Sequence, residues 1–240
     1  MTKIFETPEN LAQQFAEDFY KLVEKVYTDG RIIHVALSGG STPKIWFEVL
    51  RKNYATLIAW ENIHFYWGDE RMVPSKDKES NYGEAKRILF DHISIPPANI
   101  HPILGENDTT QELERYSSIL DLNLSQQKNL PVFDLMILGM GDDGHTASIF
   151  PDQMEILNSK NLVELAYHPV SRQKRISLTG SVINNSRQII FLITGSEKAP
   201  VLAKILNKTG NYKDYPTAHI RPVSGKVEYY LDKEAAVGLK

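Results

Sequence analysis

The sequence predicts an α/β protein of the Rossmann-like, three-layer α/β/α class, with a mostly parallel sheet and short peripheral strands. Short runs of β-branched and aromatic residues alternate along the chain with amphipathic segments of helical period, which is typical of this class. Four of the apolar runs end directly in polar turns that contain glycine, as expected where a buried parallel strand leads into a helix. The 240 residues contain no long linker, repeat or low-complexity segment, so we expect a single domain over residues 1–240.

The individual elements follow from the spacing of apolar residues. The first helix is predicted over 8–27, because apolar residues recur on one face and Thr7, the candidate N-cap, precedes Pro8 at its start. We interpret 76–79 and 207–214 as surface loops, and the acidic helix face around Glu112 as exposed to solvent. The other predicted helices are 43–51, 81–90, 110–126 and 197–206; the strands are 31–37, 63–67, 133–138 and 188–194, with shorter candidates at 175–178 and 227–231.

The composition excludes several classes of function. The formal net charge is -3, which provides no general attraction for nucleic acid or for an anionic membrane. The chain has no cysteine, so disulfides, thiolate nucleophiles and cysteine-ligated zinc are all excluded. The N-terminus lacks the apolar core of a signal peptide, and no apolar run approaches the roughly 18 residues that a membrane helix needs. We therefore expect a cytoplasmic protein.

Distinctive polar sequences follow four of the predicted strands. Ligands bind beyond the carboxyl ends of the strands in open parallel sheets, and these ends meet at one edge when the strands are neighbours. We therefore expect the four segments to converge on one site. They are Ser38–Pro43 (SGGSTP), Gly68–Arg71 (GDER), Gly139–His145 (GMGDDGH) and Gly195–Lys198 (GSEK).

The SGGSTP segment is a candidate anion site. Its glycines allow a ligand to approach the backbone closely, and its amides lie at the start of a helix, where a phosphate or carboxylate is favoured. It is neither a P-loop nor a dinucleotide-binding GxGxxG turn. The alternative is an ordinary strand-to-helix turn with Ser41 or Thr42 as the N-cap. The candidate ligand-binding residues are Ser38, Gly39, Gly40, Ser41 and Thr42.

Four charged residues are candidates for the same site. Arg71 in GDER is suited to bidentate phosphate binding, and Asp69 lies beside it. Lys198 and Arg175 could contact the same anion. The alternatives are a local salt-bridge cluster for GDER, a solvated first-turn lysine for Lys198 and an edge-strand position for Arg175.

His145 is the candidate catalytic residue. A histidine can act as a general base or acid near neutral pH, and an Asp partner would fix its tautomer. Asp143 and Asp142 are both near enough in sequence to be that partner, and a packed or helix-capping histidine is the alternative. The chain contains neither HExxH nor GxSxG, so a metal site and a serine hydrolase are not predicted.

Taken together, these segments resemble a known family. LSGGSTP, WGDERMVP followed by Ser80-Asn81, and GMGDDGHTASIFP are similar to the three signature blocks of the 6-phosphogluconolactonase family. RISLT, GSEKA and Tyr215-Pro216 also match in order, so the resemblance extends from about Phe15 to Asp232. Deaminases of the same fold typically have MDEY and IAFNEP in place of GDER and TASIFP. Sugar-phosphate-sensing regulators of this fold carry an additional helix-turn-helix module, for which the first 30 residues leave too little room.

The resemblance implies hydrolysis of 6-phospho-D-glucono-1,5-lactone to 6-phosphogluconate in the oxidative pentose phosphate pathway, without a cofactor or metal. It implies that His145 is the catalytic base and Asp143 its orienting acid, since Asp142 occupies a variable position. It also implies phosphate contacts from the SGGS turn, Arg71, Arg175 and Lys198. The expected partner is a phosphorylated sugar lactone, with neither nucleic acid nor membrane, and the sequence does not indicate the oligomeric state. A deaminase, an isomerase and a non-enzymatic sensor are the alternatives.

Overall fold

The computed structural model describes all 240 residues. Its centre is a seven-stranded sheet in which every neighbouring pair is parallel. This confirms the predicted fold class. The seven strands, in their order across the sheet, are β1 (Thr2–Phe5), β12 (Lys226–Asp232), β11 (Gln188–Ile193), β8 (Leu135–Leu138), β2 (Ile33–Leu37), β3 (Ile63–Trp67) and β5 (Ile100–His101).

Helices and two smaller sheets surround this central sheet. An antiparallel three-stranded sheet has the order β4-β10-β9, and β6 and β7 form a hairpin. None of the helices combines the length and apolar character required to cross a membrane. The helices are α1 (Pro8–Thr28), α2 (Ser41–Asn53), α3 (Asn81–Ile88), α4 (Thr109–Asn123), α5 (Gly180–Ile183) and α6 (Ala199–Asn207); the remaining strands are β4 (Asp69–Arg71), β6 (Gln126–Gln127), β7 (Leu130–Pro131), β9 (Val163–Tyr167) and β10 (Lys174–Leu178).

Helix α1 shows how the apolar spacing produces the packing. Its N-cap is Thr7, whose Oγ1 accepts a hydrogen bond of 3.2 Å from the amide of Asn10, as predicted. Its apolar face is buried against α2 and β12. The ring of Phe15 lies 4.9 Å from Trp46 and 5.4 Å from Tyr230. Burial of each such aromatic side chain contributes roughly 1.5–3 kcal/mol, so the amphipathic pattern fixes this helix on the sheet.

The central strands are buried on both faces. All four residues of β8 are buried, and this strand pairs with β2 on one side and β11 on the other. Strands covered by helices on both faces appear in sequence as continuous apolar runs, which is why β2, β3, β8 and β11 were all predictable.

The peripheral strands differ from the sequence prediction. Strand β1 was not predicted, because four residues at a sheet edge with alternating exposure carry too short a pattern. The strand predicted over 227–231 is confirmed as β12, which is one residue longer at each end and lies inside the main sheet, not at its periphery. The residues Asp69–Arg71 form β4, which pairs antiparallel with β10, rather than ending β3 as a loop.

The prediction that Glu112 is solvent-exposed was also wrong. This side chain is fully buried and accepts hydrogen bonds from the amide of Leu104, at 2.7 Å, and the side chain of Asn107, at 2.8 Å. Arg115 on the next turn of α4 forms an ion pair with it at 2.5 Å. A carboxylate supplied with this many donors can remain buried, which an acidic helix sequence alone does not reveal.

Three histidines that are far apart in sequence form a cluster. The parallel register places His34 opposite His64, and His101 opposite Tyr66. His64 Nδ1 lies 3.0 Å from His101 Nε2, and His34 Nδ1 lies 3.2 Å from the Tyr66 hydroxyl. No group of three histidine, aspartate or glutamate side chains in the chain is placed to hold a metal ion. Burial lowers the pKa of all three histidines, that of His101 to about 4.

This cluster predicts a pH-dependent stability. The unfolded chain binds a proton at His101 near pH 6.5, whereas the folded chain does not bind it until about pH 4. The free energy of unfolding should therefore decrease as pH falls through this window. We expect His101→Gln to lose less stability than wild type between pH 7 and pH 5, by about 1 kcal/mol after allowance for partial exposure. Denaturant unfolding at both pH values measures this.

The matched control is His92→Gln, at an exposed histidine outside the cluster. Its pH dependence should equal that of wild type. If His101→Gln loses as much stability on acidification as wild type does, burial of the cluster does not control its protonation.

Candidate functional site

The four polar segments meet at the carboxyl edge of the main sheet, around a cavity of about 220 Å³. The strands they follow, β11, β8, β2 and β3, are consecutive neighbours, so the predicted convergence occurs. Of the residues predicted for the site, only Asp143 does not line the cavity. The predicted residues that do line it are Ser38, Gly39, Gly40, Ser41, Thr42, Asp69, Arg71, His145, Arg175 and Lys198.

The SGGST turn presents free amides to this cavity. Gly40 caps α2 with φ +111°, and no side chain caps the helix, so the alternative in which Ser41 or Thr42 is the N-cap was wrong. The backbone amides of residues 39–42 donate to no acceptor within the protein. Unpaired amides at the start of a 13-residue helix provide an anion-binding site. The hydroxyl of Thr42 is held 2.8 Å from that of Thr194.

Two arginines lie beside the turn. Arg71 on β4 and Arg175 on β10 are paired in register. The Nε atom of each is buried and has no hydrogen-bond partner, although Arg71 Nη1 donates to the carbonyl of Glu79 at 2.6 Å. A buried guanidinium nitrogen that has no hydrogen-bond partner within the protein costs free energy unless an anion binds it. This arrangement therefore favours an anionic ligand over the alternative of a local salt-bridge cluster.

The two acids of β4 face opposite sides of the strand. Asp69 lines the cavity, is buried, and accepts a hydrogen bond of 2.7 Å from Ser148 Oγ. Glu70 faces the start of α3 and accepts hydrogen bonds from the amides of Arg71, Asn81 and Tyr82. Burial raises the pKa of Glu70 to about 7, against the opposing effect of these amides. Glu70 therefore holds the start of α3 in place, whereas Asp69 is the carboxylate of β4 that faces the cavity.

His145 also lines the cavity and lies on the turn after β8. Its Nδ1 is 2.6 Å from Asp143 Oδ1, and its amide donates to the same oxygen at 3.0 Å. Asp142 is exposed and makes no such contact. Burial acts to raise the pKa of Asp143, but the hydrogen bonds from His145 outweigh it and hold that pKa below its ordinary value. With Nδ1–H donated to the carboxylate, Nε2 is the nitrogen left to accept a proton.

Backbone hydrogen bonds hold the turn that carries His145, and its imidazole packs closely on Gly141. The Gly141 amide donates to the His145 carbonyl at 2.9 Å, and the Gly144 amide donates to the Gly141 carbonyl at 3.1 Å. A Cβ on Gly141 would lie 2.2 Å from His145 Nδ1 and 2.6 Å from Asp143 Oδ1. Glycine at position 141 therefore allows the imidazole and the carboxylate to pack directly on the backbone.

Lys198 completes the cationic side of the cavity. It ends a single 3-10 turn, Ser196–Lys198, immediately before α6, and its side chain is only 24% exposed. Its nearest carboxylate, Glu197, is 3.7 Å away and also lines the cavity. The side chain is therefore largely withdrawn from solvent, which does not fit the alternative of a solvated first-turn lysine.

Sequence reasoning did not identify three residues that shape the site. Asn81 and Thr194 line the cavity, and Ser148 holds Asp69. Thr194 directly precedes GSEK, so its position at a strand end was a usable signal. The contact between Ser148 and Asp69 joins residues 79 positions apart and has no local signal.

Comparisons with known proteins agree with this geometry. Residues 6–229 match the family model described as glucosamine-6-phosphate isomerases/6-phosphogluconolactonase. A 6-phosphogluconolactonase from Haemophilus influenzae is 45% identical over 233 residues, which cover 96% of each chain. The solved structure of a devB protein superposes with a TM-score of 0.92 at 42% identity, covering 98% of this chain and 97% of that one. The 6-phosphogluconolactonase from Trypanosoma brucei superposes with a TM-score of 0.91 at 29% identity, covering 100% and 98%.

The packing at Gly141 predicts how the imidazole responds to an added methyl group. In Gly141→Ala a Cβ would lie 2.2 Å from His145 Nδ1, so the ring has to move by about 1.5 Å to reach ordinary contact distance. We expect the hydrogen bond between His145 and Asp143 to break. The downfield imidazole Nδ1 proton, observed by NMR, should shift upfield or disappear through exchange with water. Gly139→Ala is the control, because its Cβ would meet nothing within 4 Å. An unchanged proton signal in Gly141→Ala would contradict the described packing.

Proposed function

The chain belongs to the glucosamine-6-phosphate isomerase/6-phosphogluconolactonase family, and on this premise we propose how its residues catalyse lactone hydrolysis. The chain is a lactone hydrolase that converts 6-phospho-D-glucono-1,5-lactone to 6-phospho-D-gluconate in the pentose phosphate pathway. In the proposal His145 is the general base and then the general acid, and the whole chain, 1–240, acts as one catalytic domain in the cytoplasm.

One observation supports this assignment above the others. The Asp143-bound imidazole of His145 and the group of anion-binding donors line the same cavity. A substrate with a phosphate at one end and a reactive carbonyl at the other fits such a site. A sensor that only binds sugar phosphates has no need of an imidazole held in one tautomer, which favours an enzyme.

Binding is assigned to the cationic side of the cavity. The free amides of residues 39–42, with Arg71, Arg175 and Lys198, hold the phosphate. Anchoring the phosphate places the lactone carbonyl near His145 and converts the attack of water into a step within one complex. Asp69 is the acceptor available for a sugar hydroxyl, because Ser148 already fixes its orientation.

Chemistry is assigned to His145. Nε2 removes a proton from water as the water oxygen bonds to the lactone carbonyl carbon, and the carbonyl becomes an oxyanion. Asp143 remains ionised and stabilises the imidazolium through Nδ1–H. As the tetrahedral intermediate collapses, the bond from the carbonyl carbon to the ring oxygen breaks. The imidazolium then gives its proton to that oxygen, which yields the open-chain acid and restores the base.

Substitution of His145 tests the mechanism. We expect His145→Ala to lower kcat by about 10²–10⁴-fold, the usual contribution of general acid–base catalysis. The assay generates the lactone in situ and subtracts its spontaneous hydrolysis. Asp142→Asn is the control and should keep wild-type kcat, because Asp142 is exposed and does not contact the imidazole. An unchanged kcat in His145→Ala would show that His145 is not the catalytic base. Turnover of glucosamine 6-phosphate but not of the lactone would identify a deaminase instead.

Substitution of Arg71 tests the phosphate site. Loss of a charge-assisted hydrogen bond should raise KM for the phosphorylated lactone by about 10–100-fold in Arg71→Ala. Hydrolysis of unphosphorylated glucono-1,5-lactone should change little, because it lacks the group that Arg71 contacts. The control is Arg87→Ala on the exposed face of α3, where the arginine pairs only with Glu84. Equal losses on both lactones would exclude the assigned role of Arg71.

A further inference from the structure

We propose that Thr217 is a positioning residue for the reaction: it holds the peptide that precedes His145 and thereby keeps the imidazole on Asp143. The proposal rests on the proposed function, in which His145 is the base. Thr217 does not line the cavity, so it acts on the reaction only through the turn Gly139–His145, here called the catalytic turn.

The contacts of Thr217 are directed at one carbonyl group. Its amide donates to the Gly144 carbonyl at 3.1 Å, and its hydroxyl donates to the same oxygen at 2.9 Å. The hydroxyl also lies 3.5 Å from the His145 carbonyl. Thr217 is 1% exposed, so water cannot replace these donors. Two donors on the same carbonyl fix the orientation of the peptide that joins Gly144 to His145.

The neighbouring residue reinforces this hold. Tyr215 packs against Gly144 so closely that a Cβ at position 144 would lie 2.7 Å from its ring. Tyr215 and Thr217 belong to one segment, 215–219, whose 3-10 turn Pro216–His219 is largely buried. Gly144 has φ +81°, a conformation that other residues rarely adopt. The segment therefore supports the catalytic turn from outside, over a separation of 73 residues in sequence.

The consequence for catalysis follows from the geometry of the turn. The Gly141 amide donates to the His145 carbonyl from inside the turn, and Thr217 holds the Gly144 carbonyl from outside. Rotation of the Gly144–His145 peptide would tilt the imidazole away from Asp143 and away from the attacking water. Such a change affects proton transfer, since the phosphate-binding residues lie on other segments. Removal of the Thr217 hydroxyl should therefore lower kcat and leave KM unchanged.

The experiment compares three variants at position 217 with one control. Thr217→Val replaces the hydroxyl by a methyl group of similar size and so removes only the donor. Thr217→Ala removes the donor without introducing a methyl group in its place. Thr217→Ser retains the donor. The control is Thr179→Val, since Thr179 is also fully buried and its hydroxyl donates to a carbonyl, that of Asn161 at 2.9 Å. Each variant is checked by thermal unfolding, by kcat and KM for the phosphorylated lactone, and by NMR of the His145 Nδ1 proton.

We expect Thr217→Val to lower kcat about tenfold, the rate equivalent of one neutral hydrogen bond, with KM within about twofold of wild type. Its Nδ1 proton signal should shift, Thr217→Ser should recover kcat to within about threefold, and Thr179→Val should lose stability without losing kcat. If Thr217→Val does not fold, Thr217→Ala carries the same expectation.

Two results would overturn the proposal. One is an equal loss of kcat in Thr217→Val and Thr179→Val, which would make the effect a general loss of stability. The other is an unmoved Nδ1 signal in both Thr217→Val and Thr217→Ala. The NMR measurement does not depend on the reaction. An inactive wild type would therefore reject the proposed function and still leave the positioning of His145 testable.

Discussion

The site depends on the parallel direction of four adjacent strands, β11, β8, β2 and β3. Because they run the same way, the turns that follow them lie at one edge of the sheet, and residues more than a hundred positions apart share one cavity. The small sheet extends this edge: the pairing of β4 with β10 brings Arg175 next to Arg71. The sequence around either arginine does not reveal that the two lie side by side. The anion site is a product of strand direction and register.

Buried polar groups in this protein differ in whether the protein itself supplies their hydrogen-bond partners. Glu70 and Glu112 are buried, and each carboxylate accepts several hydrogen bonds. Ser38 Oγ and the Nε atoms of Arg71 and Arg175 are equally buried and have no partner. Unpaired buried groups cost free energy, on the order of 1–3 kcal/mol each, unless a ligand satisfies them. Three of the six buried side-chain atoms without a partner lie in this cavity, and the other three, in Trp46, Trp67 and Ser186, lie elsewhere. Two of the three in the cavity belong to arginines that lie beside free backbone amides, so the cavity favours an anionic ligand.

The sequence could predict the features that depend on local pattern and not those that depend on tertiary contacts. Long apolar strands and the amphipathic helix α1 carry their pattern locally, and the polar turns were recognisable because each directly follows such a strand. The burial of Glu112, the histidine cluster and the contact of Ser148 with Asp69 are long-range or tertiary effects. The first depends on donors from a neighbouring loop and the second on strand register. The spacing of residues along one sequence carries no information about such contacts, so these features became visible only in the fold.

The anion-binding residues and the His145 turn place different demands on geometry. The long side chains of Arg71 and Lys198 can adjust to a phosphate that the fixed amides of the SGGST turn receive. The His145 side is fixed within one short turn by glycine packing, by Asp143 and by the donors of Thr217. A general base gains most from rigidity, because proton transfer requires alignment at hydrogen-bond distance, whereas charge attraction tolerates small displacements. The tightly packed turn after β8 is thus where a small structural change should have the largest effect on rate.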